Sequence, residues 1–251
     1  MKKVIAIMRI AVLTDIHGNA AALKAVLKEI DSRNDIDHIY CAGDMIGIGP
    51  YSNEVLDLLF TRNDVSMVTG NHDEAILSLL LGEEYPNSHH GTREHHQWMA
   101  KHLDKAYISK LQQLPRIIRH SVENQSLLMT HYHIEPSRIL DPICLDPFSK
   151  IVEPTLKNVV SLFKSYEANL ILFGNHHPIH YFKKDRTIYL NPGSLGCSHK
   201  AAAPYAIVHI TRDQLYVQLE EAPYDKASFI ESFTRLQVPD REFILKVFYG
   251  V

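Results

Sequence analysis

Met8-Arg9-Ile10-Ala11-Val12-Leu13-Thr14-Asp15-Ile16-His17-Gly18-Asn19 is the stretch on which the fold turns. A short apolar run stops at a polar Asp-x-His. Apolar residues then resume at helical spacing, with Leu23, Val26, Leu27 and Ile30 falling on one face of a helix over 19–33. The same grammar repeats twice. His38–Ala42 reads as a strand that ends on Gly43-Asp44, followed by a helix from about Ser52, its expected N-cap, to Thr61. Val65–Thr69 reads as a strand that ends on Gly70-Asn71-His72-Asp73. Strands alternating with helices of this length predict parallel βαβ units.

Downstream the pattern changes. Residues 75–113 carry only helical patterns and include His89-His90-Gly91-Thr92-Arg93-Glu94-His95-His96, which makes this stretch a candidate helical insertion. The histidine run reads as a solvated helix face at least as readily as a substrate contact. Two hairpins are expected, Ile117–Val122 with Ser126–Thr130 and Tyr205–Ile210 with Gln214–Leu219. Between them lie a helix near Glu153–Tyr166, a strand at Leu170–Phe173 and another at Thr187–Leu190. Lys226–Phe248 reads as helical. With no repeat, low-complexity tract or linker, the chain is expected to form one domain over 1–251.

Composition bounds the function. The chain has 251 residues with 26 Lys+Arg against 29 Asp+Glu, so any nucleic-acid contact must be local and no extended nucleic-acid surface is expected. No apolar run reaches the ~20 residues that cross a bilayer, so no membrane partner is expected. Cys41, Cys144 and Cys197 form no Cys-x-x-Cys pair and read as reduced thiols of a cytoplasmic protein, with Cys41 and Cys197 serving as small buried hydrophobes. Met8 is expected to be the natural start, or residues 1–7 a loosely held extension.

The chemistry gathers at strand ends. Five segments (Asp15/His17, Asp44, Asn71/His72/Asp73, His131 and Gly174-Asn175-His176-His177) would aim carboxylate, amide and imidazole groups at one edge of the sheets. Asp15 and His17 stand two apart on extended chain and so can face one ion together. This donor set, without thiolate, suits Mn, Fe, Zn or Ni, with Mn favoured. Its size suggests two ions sharing a carboxylate. Singly, each motif is an ordinary turn signal; five in this order are not.

On these blocks the sequence resembles the calcineurin-like metallophosphoesterases, in their small bacterial and archaeal phosphodiesterase branch. Asn191-Pro192-Gly193-Ser194 and the run Gly47–Val55 match that branch as well. The resemblance implies an α/β fold, a four-layer αββα sandwich of two mixed sheets flanked by helices. It implies that Asp15, His17 and His177 hold one divalent ion, that Asp44 bridges to a second, and that Asn71, His131 and Asn175 complete the second site. A hydroxide between the ions would attack phosphorus in line, with His72 donating a hydrogen bond or proton and Asp73 orienting it.

Two departures stand out. Asn175 replaces the first His of the family's usual Gly-His-x-His, which puts the second site's occupancy in question. Tyr132 and His133 follow His131 where the family has small residues, and His133 is expected to be a neighbour of the site rather than a ligand. Asp44 is followed by Met45-Ile46-Gly47 without the Arg that clamps a monoester dianion in the protein-phosphatase branch, although Arg93 or Arg138 could reach a phosphate. A metal-dependent phosphodiesterase acting on a small phosphoester is therefore expected. The alternatives are hydrolysis of a dinucleoside polyphosphate and a non-catalytic scaffold on the same fold, like the retromer subunit. Retention of His72 speaks against the scaffold.

Overall fold

A computed structural model of the chain describes residues 7–251. The expectation about the extension at 1–7 thus falls, but for Ile7, outside the described residues. In chain order the elements are β1 (Met8–Leu13), α1 (Ala20–Ser32), β2 (His38–Cys41), α2 (Ser52–Phe60), β3 (Val65–Met67), α3 (Asn71–Leu81), α4 (Arg93–His102), α5 (Ile108–Gln112), β4 (Ile117–Val122), β5 (Gln125–Thr130), α6 (Leu156–Leu162), β6 (Leu170–Leu172), β7 (His180–Lys184), β8 (Thr187–Asn191), β9 (Ala202–Ile210), β10 (Leu215–Pro223), α7 (Lys226–Arg235) and α8 (Arg241–Ile244). A 3₁₀ segment, Asn87–Thr92, leads into α4, and a π turn, Leu245–Tyr249, ends the chain.

Two mixed five-stranded sheets face each other, in the orders β10-β9-β1-β2-β3 and β4-β5-β6-β8-β7. Within the first, β1, β2 and β3 are parallel; within the second, β5, β6 and β8 are. The hairpin partners β9/β10 and β4/β5 are antiparallel. Strand alternation explains the layers. Ile10 and Val12 of β1 meet Leu127 and Met129 of β5 and Leu170 and Leu172 of β6 between the sheets. Ala11 and Leu13 point the other way, onto Leu23, Val26 and Leu27 of α1. Leu128 and Ile171 turn outward onto Val159 and Phe163 around α6. A period of two on each strand thus feeds a core between the sheets and an outer layer on each side, which makes the αββα sandwich.

Local chemistry moves several boundaries. Ser52 is the first helical residue of α2 rather than its cap; Tyr51 takes the cap position without a side-chain hydrogen bond. The helix expected from Glu153 begins three residues later, where the Thr155 side chain accepts the Asn158 amide. β7 was not expected: it is a polar edge strand whose only buried residue is His180. The C-terminal helical stretch breaks after Arg235, where Gln237 and Asp240 take positive φ on either side of Pro239. The helices of the insertion begin at Asn71 rather than Ala75, so Asn71, His72 and Asp73 form the first turn of α3.

Candidate metal centre

The carboxyl ends of β1, β2, β5 and β6 are zipped together by backbone hydrogen bonds. Asp15 N donates to Gly43 O (3.1 Å), His17 N to Asp44 O (2.9 Å) and Gly174 N to His131 O (2.7 Å). Four of the residues expected to bind metal sit in left-handed backbone: Asp15 (φ 51°), His17 (φ 49°), Asp44 (φ 50°) and Asn175 (φ 66°). Non-glycine residues avoid this region because Cβ crowds the following peptide, so four together mark a built turn cluster. Glycine matters at Gly174, where a Cβ would collide with the Thr14 hydroxyl and approach Asp15 Oδ2 to 2.5 Å. The Asn191–Ser194 motif forms the floor: Asn191 Nδ2 donates to His176 O (2.6 Å) and the Ser194 hydroxyl to Asp15 O (2.8 Å).

The polar atoms converge in two sets. His17 Nε2 and His177 Nε2 are 3.1 Å apart, and Asp15 Oδ1 lies 3.5 Å from the first and 3.7 Å from the second. Donors on one ion with bonds of ~2.0–2.2 Å at the tetrahedral angle stand roughly 3.4 Å apart, so this triangle has the size of a coordination site. The second set centres on Asp44, whose Oδ2 is 3.2 Å from His131 Nε2 and 3.8 Å from His17 Nε2. One carboxylate oxygen therefore stands between the two sets. Cys197 Sγ also lies within 4.8 Å of the ligand atoms of His17 and His177. Burial raises its thiol to about 12 and Tyr249 OH is 3.7 Å away, so it is a neutral neighbour, as expected of a small buried hydrophobe.

Hydrogen bonds fix which atoms face inward. His17 Nδ1 is 3.2 Å from Ile46 O and His131 Nδ1 is 2.7 Å from Ala42 O. Each Nδ1 must carry the hydrogen it gives to a carbonyl, so Nε2 is the atom turned inward, the one a metal would take in exchange for a proton. Asp15 Oδ2 accepts from Thr14 Oγ1 (2.7 Å) and Asn175 N (3.0 Å), and Asp44 Oδ1 accepts from His72 N (2.9 Å), so the remaining oxygens are the ones turned toward the imidazoles. Asp15 Oδ1, Asn71 Oδ1 and His131 Nε2 are buried with no hydrogen-bond partner. Orphaned buried polar atoms are costly, and divalent cations are groups that would satisfy atoms of these kinds. The donor set fits such ions.

The electrostatics agree. Burial alone would raise the Asp44 carboxyl, but His131 and His17 outweigh it and hold it at about 2. The Asp15 carboxyl is likewise held low, its burial outweighed by His17, His131 and His177. In return, Asp44 and Asp15 overcome the burial of His131 and push it up to about 10. His17 moves up for the same reason. Two fully buried carboxylates thus stay ionised and draw positive charge to themselves.

Of the remaining expected residues, His72 and Asn175 line a cavity of about 970 Å³ over the cluster, together with Asn71, His89, His177, Arg138, Lys150 and the apolar wall of Phe148, Ile151, Val247 and Phe248. Asp73 does not orient His72. Its Oδ1 accepts Ile46 N (3.1 Å) and its Oδ2 accepts Gly70 N (3.0 Å), because neighbours on a helix point about 100° apart. His133 faces away, with Nδ1 on Ser149 Oγ (2.8 Å) and Nε2 on Ser165 Oγ (3.2 Å). Arg93 stacks over the Tyr85 ring at 5.2 Å, while Arg138 borders the cavity with its guanidinium tied to Asp141 Oδ2 and Leu145 O.

The histidine run is not a solvated face. His89, His95 and His96 are buried, and His89 Nε2 lies 2.9 Å from Asn71 Nδ2. Since that amide nitrogen must donate, His89 Nε2 accepts and its Nδ1–H goes to Ser88 Oγ (2.8 Å), whose hydroxyl goes to Asp146 (2.5 Å). The chain from Asp146 to Asn71 thus holds the amide nitrogen on His89 and leaves Asn71 Oδ1 buried without a partner. Spacing held a trace of this: His95, His96 and Met99 fall on one face of α4.

Comparison with known proteins places this geometry. The family model for the calcineurin-like phosphoesterase superfamily domain matches residues 8–213. An uncharacterised protein of Methanocaldococcus jannaschii is 28% identical over 239 residues, covering 92% of this chain and 94% of that one. The symmetrical bis(5'-nucleosyl)-tetraphosphatase of Vibrio cholerae is 30% identical over 126 residues, 50% of this chain and 44% of that enzyme, so the likeness spans less than half of its length. The crystal structure of a metallophosphoesterase from Sphaerobacter thermophilus superposes with a TM-score of 0.73 at 21% identity, covering 98% of this chain and 100% of that one, and so shares the fold. The chain belongs to the calcineurin-like phosphoesterase superfamily and is a metal-dependent phosphoric ester hydrolase.

Proposed function

We propose that the protein is a phosphodiesterase that works with two divalent ions. Asp15, His17 and His177 would hold the first, Asp44 would be shared, and Asn71, His131 and Asn175 would complete the second. The observation that carries this reading is the position of Asp44 Oδ2 between His131 and His17, with Asp15 Oδ1, Asn71 Oδ1 and His131 Nε2 buried and without hydrogen-bond partners. When bound, such ions supply the Lewis acidity that ionises a water at neutral pH and offsets charge gathering on phosphate.

The chain's own residues supply the rest. Asp44 Oδ1 holds the His72 backbone amide, which fixes the first turn of α3 against the metal loops. His72 borders the cavity, where it would donate a hydrogen bond to a phosphoryl or leaving oxygen. Charge selects the substrate. Arg138 is the one arginine bordering the cavity among the described residues, and it is spent on Asp141 and Leu145 O. Lys150 makes no ion pair among the described residues. A lining with one free cation and no guanidinium fork suits a singly charged diester better than a monoester dianion. Phe248, packed 5.6 Å from the His177 ring, together with Ile151 and Val247, offers an apolar wall to an aromatic or nucleoside substituent.

The second reading, cleavage of a dinucleoside polyphosphate, is favoured by the partial likeness to the tetraphosphatase. Protein loaded in turn with Mn, Zn, Fe and Ni, and assayed on an aryl phosphodiester, an aryl monoester and a dinucleoside tetraphosphate, separates the two. Diester turnover at least tenfold above the others is expected. Faster turnover of the tetraphosphate would install the second reading, and a loaded protein inert to all three would leave the scaffold.

A further inference from the structure

The insertion does more than roof the cavity. His72 Nδ1 lies 2.9 Å from His96 Nε2, and His96 Nδ1 lies 2.8 Å from Tyr85 OH. His96 is fully buried and Tyr85 nearly so, and the His72 and His96 rings meet edge to face at 5.0 Å. At these distances two hydrogens cannot stand between the paired atoms, so each link carries a single hydrogen.

Which way the hydrogens run follows from the Tyr85 hydroxyl. It has two acceptors in reach, His96 Nδ1 at 2.8 Å and His89 O at 3.1 Å. The shorter distance is that of a good hydroxyl donor, and one lone pair of His89 O is already filled by the Thr92 hydroxyl at 3.0 Å. Given to its nearer acceptor, the Tyr85 hydrogen goes to His96 Nδ1. His96 must then carry its hydrogen on Nε2 and give it to His72 Nδ1. His72 Nδ1 is thereby an acceptor, and the ring's hydrogen sits on Nε2 at the opposite edge.

We propose that His96, locked by Tyr85, is the positioning residue that fixes His72 in the Nε2–H tautomer and so presents a hydrogen-bond donor to the substrate. This rests on the role of His72 in the phosphoesterase reading above. It fills the place expected of Asp73, whose carboxylate is spent on two backbone amides. In water the two tautomers of imidazole interconvert freely; two buried hydrogen bonds in series remove that freedom.

Two measurements test it. Zinc-loaded protein labelled with ¹⁵N-histidine reports the hydrogen on each ring nitrogen, with His72 assigned by its loss in His72→Gln. Nε2–H is expected at His72 in the wild type, and mixed tautomers in His96→Ala and in the milder Tyr85→Phe. Nδ1–H at His72, or an Nε2–H signal unmoved by either variant, overturns the proposal. In the diester assay, His96→Ala should lose about tenfold in kcat, more with poorer leaving groups, at unchanged zinc content. His96→Gln, which can still donate to Nδ1, should recover part of the loss. In a His72→Ala background His96→Ala should cost nothing further, and an equal loss there refutes the coupling. If the wild type turns over no phosphoester, the phosphodiesterase reading fails while the tautomer measurement still decides the role of His96.

Discussion

Asp73→Ala separates two roles for one carboxylate. The side chain is 1% exposed, and its oxygens hold the amides of Ile46, beyond Asp44, and Gly70, before Asn71. It therefore staples the loop after β2 to the first turn of α3. Truncation leaves two buried N–H groups without acceptors at roughly 1–3 kcal/mol each. Burial and the Asp44 charge push the Asp73 carboxyl up to about 7, against the pull of its two amides, so losing a half-ionised buried group returns part of that cost. A net loss of about 3 kcal/mol is expected, lowering Tm by roughly 6–12 °C for a chain of this size. Asp73→Asn keeps one acceptor but turns an NH₂ on the other amide, so it should lose about half as much. Because the stapled loops carry Asp44 and Asn71, bound metal should fall in step with stability. Thermal melts and metal analysis on both variants check this. If Asp73 instead oriented His72, Asp73→Asn would keep Tm and metal content and lose turnover alone; that outcome would refute the staple.

Three further outcomes follow from the site. Asn175→His places the stronger imidazole donor beside the second set and should raise both bound metal and turnover; no gain in either would show that Asn175 is no defect. In metal-stripped protein, His131 is held up to about 10 against an ordinary 6.5, so its contribution to stability is present below pH 6.5 and lost as pH rises toward 10. A cation replaces that proton, so the Tm gap between metal-loaded and stripped protein should widen from pH 6.5 to 9, and a constant gap would contradict the assignment. Phe248→Ala strips the cavity's aromatic wall and should raise KM for an aryl or nucleoside diester by about five- to tenfold while sparing kcat.

How much of this the sequence made legible depends on what each residue is buried against. The strand-end motifs could be read because apolar alternation marks the strands and polar residues then break it, and the structure joins Asp15, His17, Asp44, His131 and His177 through one set of loops. The histidines of the insertion could not. A helix face of His95, His96 and Met99 looks polar in any hydropathy reading, yet all three side chains are buried. Asp73 misled for a different reason. Adjacency in sequence suggested partnership with His72, whereas the helical turn at Asn71 sends the two side chains to different neighbours. β7 escaped notice because an edge strand with one buried residue carries almost no periodic signal.

The two halves of the centre are therefore supported differently. Asp15, His17 and Asp44 stand in left-handed backbone, each a local strain of order 1–3 kcal/mol, and are held there by reciprocal amide bonds between the loops of β1 and β2. That strain is met during folding, so a cation at this half meets preset donors and need not reorganise the chain. Asn71 and His72 begin a helix instead, and their functional atoms are aimed by side chains of the insertion, His89 for the amide and His96 for the imidazole. A substitution in the insertion would thus re-aim the Asn71 amide or the His72 imidazole while leaving the triangle of Asp15, His17 and His177 intact. The fold therefore lets Asn71 and His72 be adjusted without rebuilding the triangle, because the former hang from a helix and the latter is sewn between strand ends.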